Sequence, residues 1–292
     1  MLGEVLTAIV TPFRADGSVD VERFRELAAH LVDHGSDGLV VAGTTGESPT
    51  LSDDEKLELF ATAVDAVGER ATVIAGTGTY DTAHSVHLTE RAHDLGVDGF
   101  LVVTPYYSKP PQRGIVRHVE EIAAATDRPV VVYNIPARVV IDIVPETMAL
   151  LAEIENVVAV KQAHDDLEEA RFIAQETRLD LYSGDDNVTY AFLGLGGVGV
   201  VSVTAHVWGE QIKELIRRFK DGDVEGAKAI DEELAPSYDL LRIQTNPIPI
   251  KAALNLLGHE AGGHRLPLVE PTDGELAQVR ACLERAGVLA RV

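Results

Sequence analysis

Eight short apolar segments, rich in valine and isoleucine, recur along the chain. Their apolar residues mostly follow one another without alternation, which is typical of parallel strands buried on both faces. Between them, apolar residues recur every three or four positions, the spacing of amphipathic helices. The predicted strands are Leu6–Val10, Gly38–Ala42, Thr72–Ala75, Gly99–Val103, Val130–Tyr133, Val157–Val160, Leu179–Tyr182 and Val198–Val203.

The predicted helices begin at recognisable signals. Short polar side chains before a helix accept hydrogen bonds from the free N–H groups of its first turn. Glu55, three residues after Ser52, completes a capping box, and Pro145 occupies a helix start, where its missing N–H is not needed. The helices with such a preceding residue are Val21–Val32 after Asp20, Asp53–Val67 after Ser52, and Thr82–Leu95 after Asp81.

The alternation of strands and helices predicts an α/β protein, a (β/α)8 TIM barrel with a C-terminal helical appendage. We place the barrel in residues 1–222 and the helical region in residues 223–292. An open doubly wound sheet needs a phosphate-binding loop after its first strand, and the chain has Thr11–Arg14 there. The last predicted helices, of which one closes the barrel, are His206–Lys220, Val224–Arg242, Pro249–Leu257 and Thr272–Ala286.

The charge balance excludes one class of partner. The 292 residues include 47 acidic and 25 basic ones, a formal net charge of −22, whereas nucleic-acid binding needs a basic surface. No apolar run approaches the ~18 residues of a membrane span, and the N-terminal residues lack the features of a signal peptide. The single Cys282 excludes an internal disulfide, which suits a reducing cytoplasm.

Three patterns resemble cofactor or metal sites. Gly194–Gly199 has the spacing of a dinucleotide-binding loop, but it follows a predicted helix and precedes a strand, the reverse of the required order. His259 and His264 are five positions apart in a glycine-rich segment, so they do not share a helix face. Asp185 and Asp186 are either a Mg²⁺ pair or, as we favour, caps of the next helix. We predict no metal and no cofactor.

Chemically useful side chains are concentrated where predicted strands end, and in a parallel barrel these ends share the active-site face. Lys161 is either a buried amine nucleophile or a lysine that reaches water. The loop Gly43–Ser48 has backbone N–H groups and hydroxyls that suit a carboxylate. Tyr133 is a candidate proton shuttle and Arg138 a candidate carboxylate clamp, with Tyr106–Tyr107 nearby. Each has a structural explanation alone, but their shared rim favours a site.

These segments resemble the dihydrodipicolinate synthase family of pyruvate-dependent class I aldolases, which also includes N-acetylneuraminate lyase. The resemblance extends over roughly the whole chain. Two threonines in the carboxylate loop and Arg138 favour the synthase over the lyase, which usually has Ser-Thr and an apolar residue there. The matching segments are Gly43–Glu47, Tyr106–Tyr107, Tyr133–Pro136, Arg138, Lys161, Ser183–Asp186 and Thr245–Lys251.

The resemblance implies a covalent mechanism without a cofactor. Lys161 would form a Schiff base with pyruvate, whose carboxylate would bind at Thr44 and Thr45. Tyr133 would shuttle protons, relayed through Thr44 and through Tyr107 of a neighbouring subunit.

The resemblance also implies the second substrate, L-aspartate 4-semialdehyde, with its carboxylate held by Arg138. The product would be 4-hydroxy-tetrahydrodipicolinate, a precursor of lysine and diaminopimelate. Gly184 and Val201 match positions whose backbone carbonyls line the family's pocket. The implied assembly is a homotetramer, a dimer of dimers.

The chain departs from the family pattern at two places. Val139–Asp142 follows Arg138 where many relatives have Thr-Gly, and Gln162–Asp165 replaces Glu-Ala-Ser/Thr-Gly. The alternatives are therefore another pyruvate-dependent aldolase or a 2-keto-3-deoxy-sugar-acid lyase, and, from another class, a non-catalytic sensor of small carboxylates. A sensor has no need of the Tyr133 and Lys161 pair.

Feedback control is a further expectation from the resemblance. Relatives inhibited by lysine bind it between subunits near the Ser48 and Tyr106 positions. Here Lys56 places a cation beside the ligand's ammonium, and His84 stands where an acidic residue would pair with it. We predict weak or absent inhibition by L-lysine.

Overall fold

The computed structural model describes residues 2–290, in which eight parallel strands close into a barrel in sequence order. β8 pairs back with β1, so the sheet has no free edge. The predicted TIM barrel is confirmed, and every predicted strand is present. The strands are β1 (Val5–Ala8), β2 (Gly38–Val41), β3 (Thr72–Gly76), β4 (Gly99–Val103), β5 (Val130–Asn134), β6 (Val157–Gln162), β7 (Asp180–Ser183) and β8 (Gly199–Ser202).

Helices surround the barrel, and the predicted capping box is present, with Ser52 and Glu55 each accepting a hydrogen bond from the other's backbone N–H. Asp20 and Asp81 cap their helices as predicted. The helices are α1 (Val21–Asp33), α2 (Asp53–Val67), α3 (Thr82–Asp94), α4 (Gln112–Ala123), α5 (Pro136–Val139), α6 (Pro145–Ala152), α7 (Leu167–Glu176), α8 (Thr189–Leu195), α9 (Ala205–Lys220), α10 (Val224–Glu233), α11 (Ala235–Leu241), α12 (Ile248–Leu256) and α13 (Asp273–Arg285).

The strands carry apolar residues on both faces because each face has its own core. Side chains that point outward pack against the helices, and those that point inward fill the barrel. Successive side chains of a strand alternate between the faces, so Tyr133 lies inside together with Val131, two positions earlier. Other inward residues are Leu6, Ala8, Val40, Ile74, Leu101, Ala159, Ala163 and Val201.

One predicted helix is wrong in extent. The segment predicted as a single helix over Val224–Arg242 forms α10 and α11, which meet at Leu234. Pro236 lies in the first turn of α11, where it lacks the N–H that would continue the hydrogen-bond ladder of α10. The glycine-rich segment was interpreted correctly, because Gly196 ends α8 with a φ of 104° and β8 follows.

The C-terminal helices form a layer beside the barrel. α10 packs against α9, and α13 packs against α11 and α12. The predicted division after residue 222 falls between α9 and α10 and stays a prediction; residues 1, 291 and 292 of the predicted ranges lie outside the described residues. None of the helices in the described part of the chain has both the length and the apolar character that crossing a membrane requires.

Candidate active site

Lys161 and Tyr133 are neighbours inside the barrel. They are register partners on β6 and β5, so both side chains point to the same face of the sheet. Lys161 Nζ lies 4.2 Å from the centre of the Tyr133 ring. Lys161 is 4% exposed, which favours the buried amine over a lysine that extends into bulk water. The structure thus places an amine and a phenol together at the strand ends.

The amine of Lys161 differs from those of the other buried lysines. Lys56 lies on α2, in the outer layer of helices, and Lys251 is held by a carboxylate and by backbone carbonyls. Lys161 has neither kind of partner within residues 2–290, whose lysine ion pairs involve only Lys213, Lys220, Lys228 and Lys251. An amine that no hydrogen bond or ion pair holds in place is available to act as a nucleophile.

The loop after β2 is a compact turn. The carbonyl of Gly43 accepts hydrogen bonds from the N–H groups of Gly46, at 3.1 Å, and Ser48, at 3.3 Å. Thr44 lines the cavity described below, whereas Thr45 is buried behind it. Thr45 Oγ1 accepts a hydrogen bond of 2.8 Å from Asn246 Nδ2. The two threonines predicted to bind a carboxylate therefore occupy different positions, and Thr44 is the one at the cavity.

A cavity of about 210 Å³ opens at the carboxyl ends of the strands. It brings together Thr44, Tyr133 and Arg138, three of the residues predicted from the sequence. Gly184 and Val201 are buried in the barrel and are absent from the cavity lining of the described chain. The lining consists of Ala42, Gly43, Thr44, Ser48, Pro49, Gly76, Gly78, Leu101, Val103, Tyr106, Tyr133, Ile135, Arg138 and Val139.

Arg138 lies on the short helix α5 at the cavity's edge, and its side chain is exposed. Its Nη2 donates to Asn246 O at 3.2 Å and to Thr245 Oγ1 at 3.4 Å, both in the segment that leads to α12. These two weak contacts orient the guanidinium from one side. No carboxylate of residues 2–290 pairs with it, so its remaining N–H groups are available to an anionic ligand.

Tyr107 does not reach the cavity of its own chain. It is 94% exposed and has a φ of 70°, a left-handed conformation that is unusual for a non-glycine residue. Tyr106 instead faces inward and packs edge-on against Tyr80, with 5.3 Å between the ring centres. An outward tyrosine beside the cavity is compatible with a role in a neighbouring subunit.

The two aspartates after β7 have roles that differ from the predicted cap. Asp185 makes no capping hydrogen bond to the turn that follows. Asp186 is buried and accepts hydrogen bonds from Thr204 Oγ1, at 2.8 Å, and from Val203 N, at 3.0 Å, as well as from Ser202 Oγ. It therefore joins the end of β7 to the turn before α9 rather than capping the next helix.

A polar cluster near the site was not expected from the sequence. One carboxylate oxygen of Asp142, one of Glu169 and a ring nitrogen of His164 lie within 4.8 Å of one another. His164 Nδ1 is 3.1 Å from Glu169 Oε2. Asn134 Nδ2 donates to Asp142 Oδ1 at 2.6 Å. Burial and the hydrogen bond with Asp142 raise the pKa of Glu169. These residues are irregularly spaced along the chain, and no motif connects them.

A closed parallel barrel in which a buried lysine amine lies beside a tyrosine that lines the cavity defines an enzyme of the class I aldolase type. Comparison with known proteins specifies the class further. The model of the Dihydrodipicolinate synthetase family matches residues 1–286. The chain belongs to this family.

Named relatives of this chain support the same family assignment. A 4-hydroxy-tetrahydrodipicolinate synthase of Moorella thermoacetica is 51% identical over 98% of this chain and 99% of its own. The crystal structure of the enzyme from Cyanidioschyzon merolae with lysine bound has a TM-score of 0.97 and 45% identity, and the match covers 99% of each chain. That of the Thermotoga maritima enzyme has a TM-score of 0.96 and 38% identity, covering 99% of this chain and 100% of the other.

Proposed function

We propose that the protein is a 4-hydroxy-tetrahydrodipicolinate synthase, which condenses pyruvate with L-aspartate 4-semialdehyde on the route to diaminopimelate and lysine. Membership of the family supports the reaction class. The observation that carries the proposal is the buried Lys161 amine beside Tyr133, at the ends of β5 and β6. The chain's own side chains supply the chemistry, and the proposed mechanism uses no cofactor.

The first half of the reaction activates pyruvate. The Lys161 amine attacks the ketone carbon and water leaves, which gives a protonated imine. The imine withdraws electrons, so a methyl proton is lost and an enamine forms. The pyruvate carboxylate binds at the Thr44 and Thr45 loop, in which Thr44 offers its hydroxyl to the ligand and Thr45 supports the turn.

The second half joins the two substrates. The enamine carbon attacks the aldehyde carbon of L-aspartate 4-semialdehyde, whose carboxylate is held by Arg138. The amino group of the adduct then adds to the imine carbon, the Lys161 nitrogen leaves, and the ring closes. Tyr133 carries protons between these steps, with Thr44 and Tyr107 of a neighbouring subunit as relays.

The proposed assembly is a cytoplasmic homotetramer, a dimer of dimers. The outward position of Tyr107 supports it, because this side chain needs a second subunit if it is to join an active site. Pyruvate and L-aspartate 4-semialdehyde are the proposed partners, and nucleic acid is not, in agreement with the net charge of −22.

The test combines trapping and turnover. Incubation with pyruvate and borohydride is expected to add one reduced pyruvate unit per chain, located at Lys161 by peptide mass spectrometry. Lys161→Ala is expected to remain folded, give no adduct and lose turnover, because the amine is the covalent catalyst. An adduct on another lysine would contradict the assignment. A panel of aldehydes then identifies the acceptor, and preference for a sugar-derived aldehyde would favour the 2-keto-3-deoxy-sugar-acid alternative.

A further inference from the structure

Lys251 is a fully buried lysine that the proposed mechanism does not use. It lies on α12 in the C-terminal helical region and is 0% exposed. Its Nζ forms an ion pair of 3.0 Å with Glu47 Oε1 and donates to Thr11 O at 2.9 Å and to Gly263 O. The ring of Phe13 covers the ammonium, with its centre at 4.5 Å. These partners enclose the amine and leave no room for it to act as a nucleophile.

The charges of this pair depend on each other. A charged side chain is costly to bury alone, and removal of one partner from a buried pair leaves the other uncompensated. Burial lowers the pKa of Lys251, and the attraction of Glu47 opposes that effect. Glu47 is itself 2% exposed, and its second carboxylate oxygen accepts a hydrogen bond from the Arg265 N–H at 3.2 Å. Both carboxylate oxygens of Glu47 are therefore held by the C-terminal region.

Glu47 belongs to the loop that carries Thr44. It has a φ of 57°, so the backbone turns sharply in a left-handed conformation at this residue. Its N–H donates to Thr44 O at 3.1 Å, while Thr11 Oγ1 donates to the neighbouring Gly46 O at 2.7 Å. The position of the Glu47 side chain thus constrains the backbone that presents Thr44 to the cavity.

We propose that Lys251 is a positioning residue for the carboxylate-binding loop: through Glu47 it holds the loop in the shape that binds pyruvate. The inference rests on the proposed function, because it takes pyruvate as the ligand of this loop. Asn246, which donates to Thr45 Oγ1 from the same C-terminal segment, supports the loop at a second point. The C-terminal region is therefore part of the pyruvate site, although the substrate touches none of these groups.

A second ion pair provides a matched control. Arg265 donates to both carboxylate oxygens of Glu55, at 2.5 and 2.8 Å, and so also joins the C-terminal region to the barrel. This pair reaches the first turn of α2 and not the loop at Thr44. Glu55→Gln weakens the attachment of the C-terminal region but removes neither the Lys251 ion pair with Glu47 nor the Arg265 backbone N–H that donates to Glu47 Oε2.

The experiment measures pyruvate binding separately from stability. Glu47→Gln, Lys251→Met, the double variant and Glu55→Gln are compared by thermal unfolding and by the pyruvate dependence of borohydride-trapped adduct at Lys161. Misplacement of a substrate-positioning group can cost about 100-fold. We therefore expect the half-saturating pyruvate concentration to rise about 10- to 100-fold in Glu47→Gln and Lys251→Met. At saturating pyruvate the adduct still forms, and Glu55→Gln lowers Tm without changing the pyruvate dependence.

The double variant separates positioning from charge burial. It has no uncompensated buried charge, so it is expected to regain stability relative to Lys251→Met while its weak pyruvate binding persists. Recovery of both properties, or wild-type pyruvate dependence in Glu47→Gln, would overturn the proposal. If Lys251→Met does not fold, the pyruvate dependence of Glu47→Gln, which keeps the shape of the side chain, still tests the proposal. A wild-type protein that forms no adduct with pyruvate would refute the proposed function itself.

Discussion

Replacement of Arg138 tests how the second substrate is held. Its guanidinium is at the cavity edge and contacts only Thr245 Oγ1 and Asn246 O, at 3.4 and 3.2 Å. Because these are neutral acceptors at long distances, Arg138→Ala removes little that stabilises the fold. The change therefore acts on the ligand. The proposed ligand group is the carboxylate of L-aspartate 4-semialdehyde.

The expected magnitude follows from the exposure of this side chain. A hydrogen bond to a charged group contributes about 1.5–3 kcal/mol, and each ~1.4 kcal/mol corresponds to a factor of ten in affinity. Arg138 is exposed at the rim, so solvent screens its interactions and the lower part of that range applies. We expect the KM for the aldehyde to rise about 10- to 30-fold in Arg138→Ala. The KM for pyruvate, for which we propose the loop at Thr44, should change less than about twofold.

Steady-state kinetics with each substrate varied at saturation of the other provide the measurement. Arg138→Lys is the matched variant, because it keeps the positive charge and loses the planar pair of N–H donors. It should fall between the wild type and Arg138→Ala. Equal increases in both KM values would refute the assignment of Arg138 to the second substrate, and an unchanged KM for the aldehyde would place its carboxylate elsewhere.

Four further predictions concern turnover, assembly, control and stability. Tyr133→Phe should lower kcat about 10²- to 10⁴-fold, the usual contribution of a positioned acid–base group, and full activity would place the shuttle elsewhere. Tyr107→Phe should lower kcat while sedimentation shows at least a dimer; a fully active monomer would contradict the shared site. L-lysine should inhibit weakly or not at all in an initial-rate titration, because His84 stands where an acidic residue would pair with the ligand's ammonium and is itself bound to the Asp53 carboxylate at 2.8 Å. Inhibition below about 1 mM would contradict this. Burial lowers the pKa of His206 to about 4, below the ~6.5 of an unfolded histidine. The contribution of neutral His206 to the free energy of unfolding is complete above pH ~6.5 and is lost as the pH falls to ~4, a loss of up to about 3 kcal/mol. His206→Gln should therefore make Tm depend less on pH in this range.

The barrel and the buried Lys161 were predictable because both depend on local pattern. Runs of valine and isoleucine identify strands buried on both faces, and the closed topology brings all their carboxyl ends to one rim. Lys161 and Tyr133 follow directly from that geometry, since each lies at or near the end of a strand. Lys161 and Tyr133 are adjacent because β5 pairs with β6, as expected in a barrel whose strands are arranged in sequence order.

Features that depend on distant contacts were not predictable. Asp186 binds the turn before α9 rather than capping the next helix, because buried donors of Val203 and Thr204, just after β8, hydrogen-bond to its carboxylate. The cluster of Asp142, His164 and Glu169 exists only because the loop between α5 and α6 meets the segment that joins β6 to the first turn of α7. Pro236 is an exception, since its missing N–H was a local signal for the break in the helix over Val224–Arg242.

The carboxylate-binding loop shows why a motif can identify a site without describing it. Two adjacent threonines suggest two equivalent hydroxyl donors. In the structure, Thr44 lines the cavity, whereas Thr45 is hydrogen-bonded to Asn246, about 200 residues later in the chain. The same is true of Glu47, whose partner Lys251 comes from a helix outside the barrel. Backbone hydrogen bonds close the loop internally, but the side chains of Thr45 and Glu47 find their partners in the C-terminal region. We therefore expect changes in the C-terminal region to alter pyruvate binding while every residue proposed to touch the substrate stays the same.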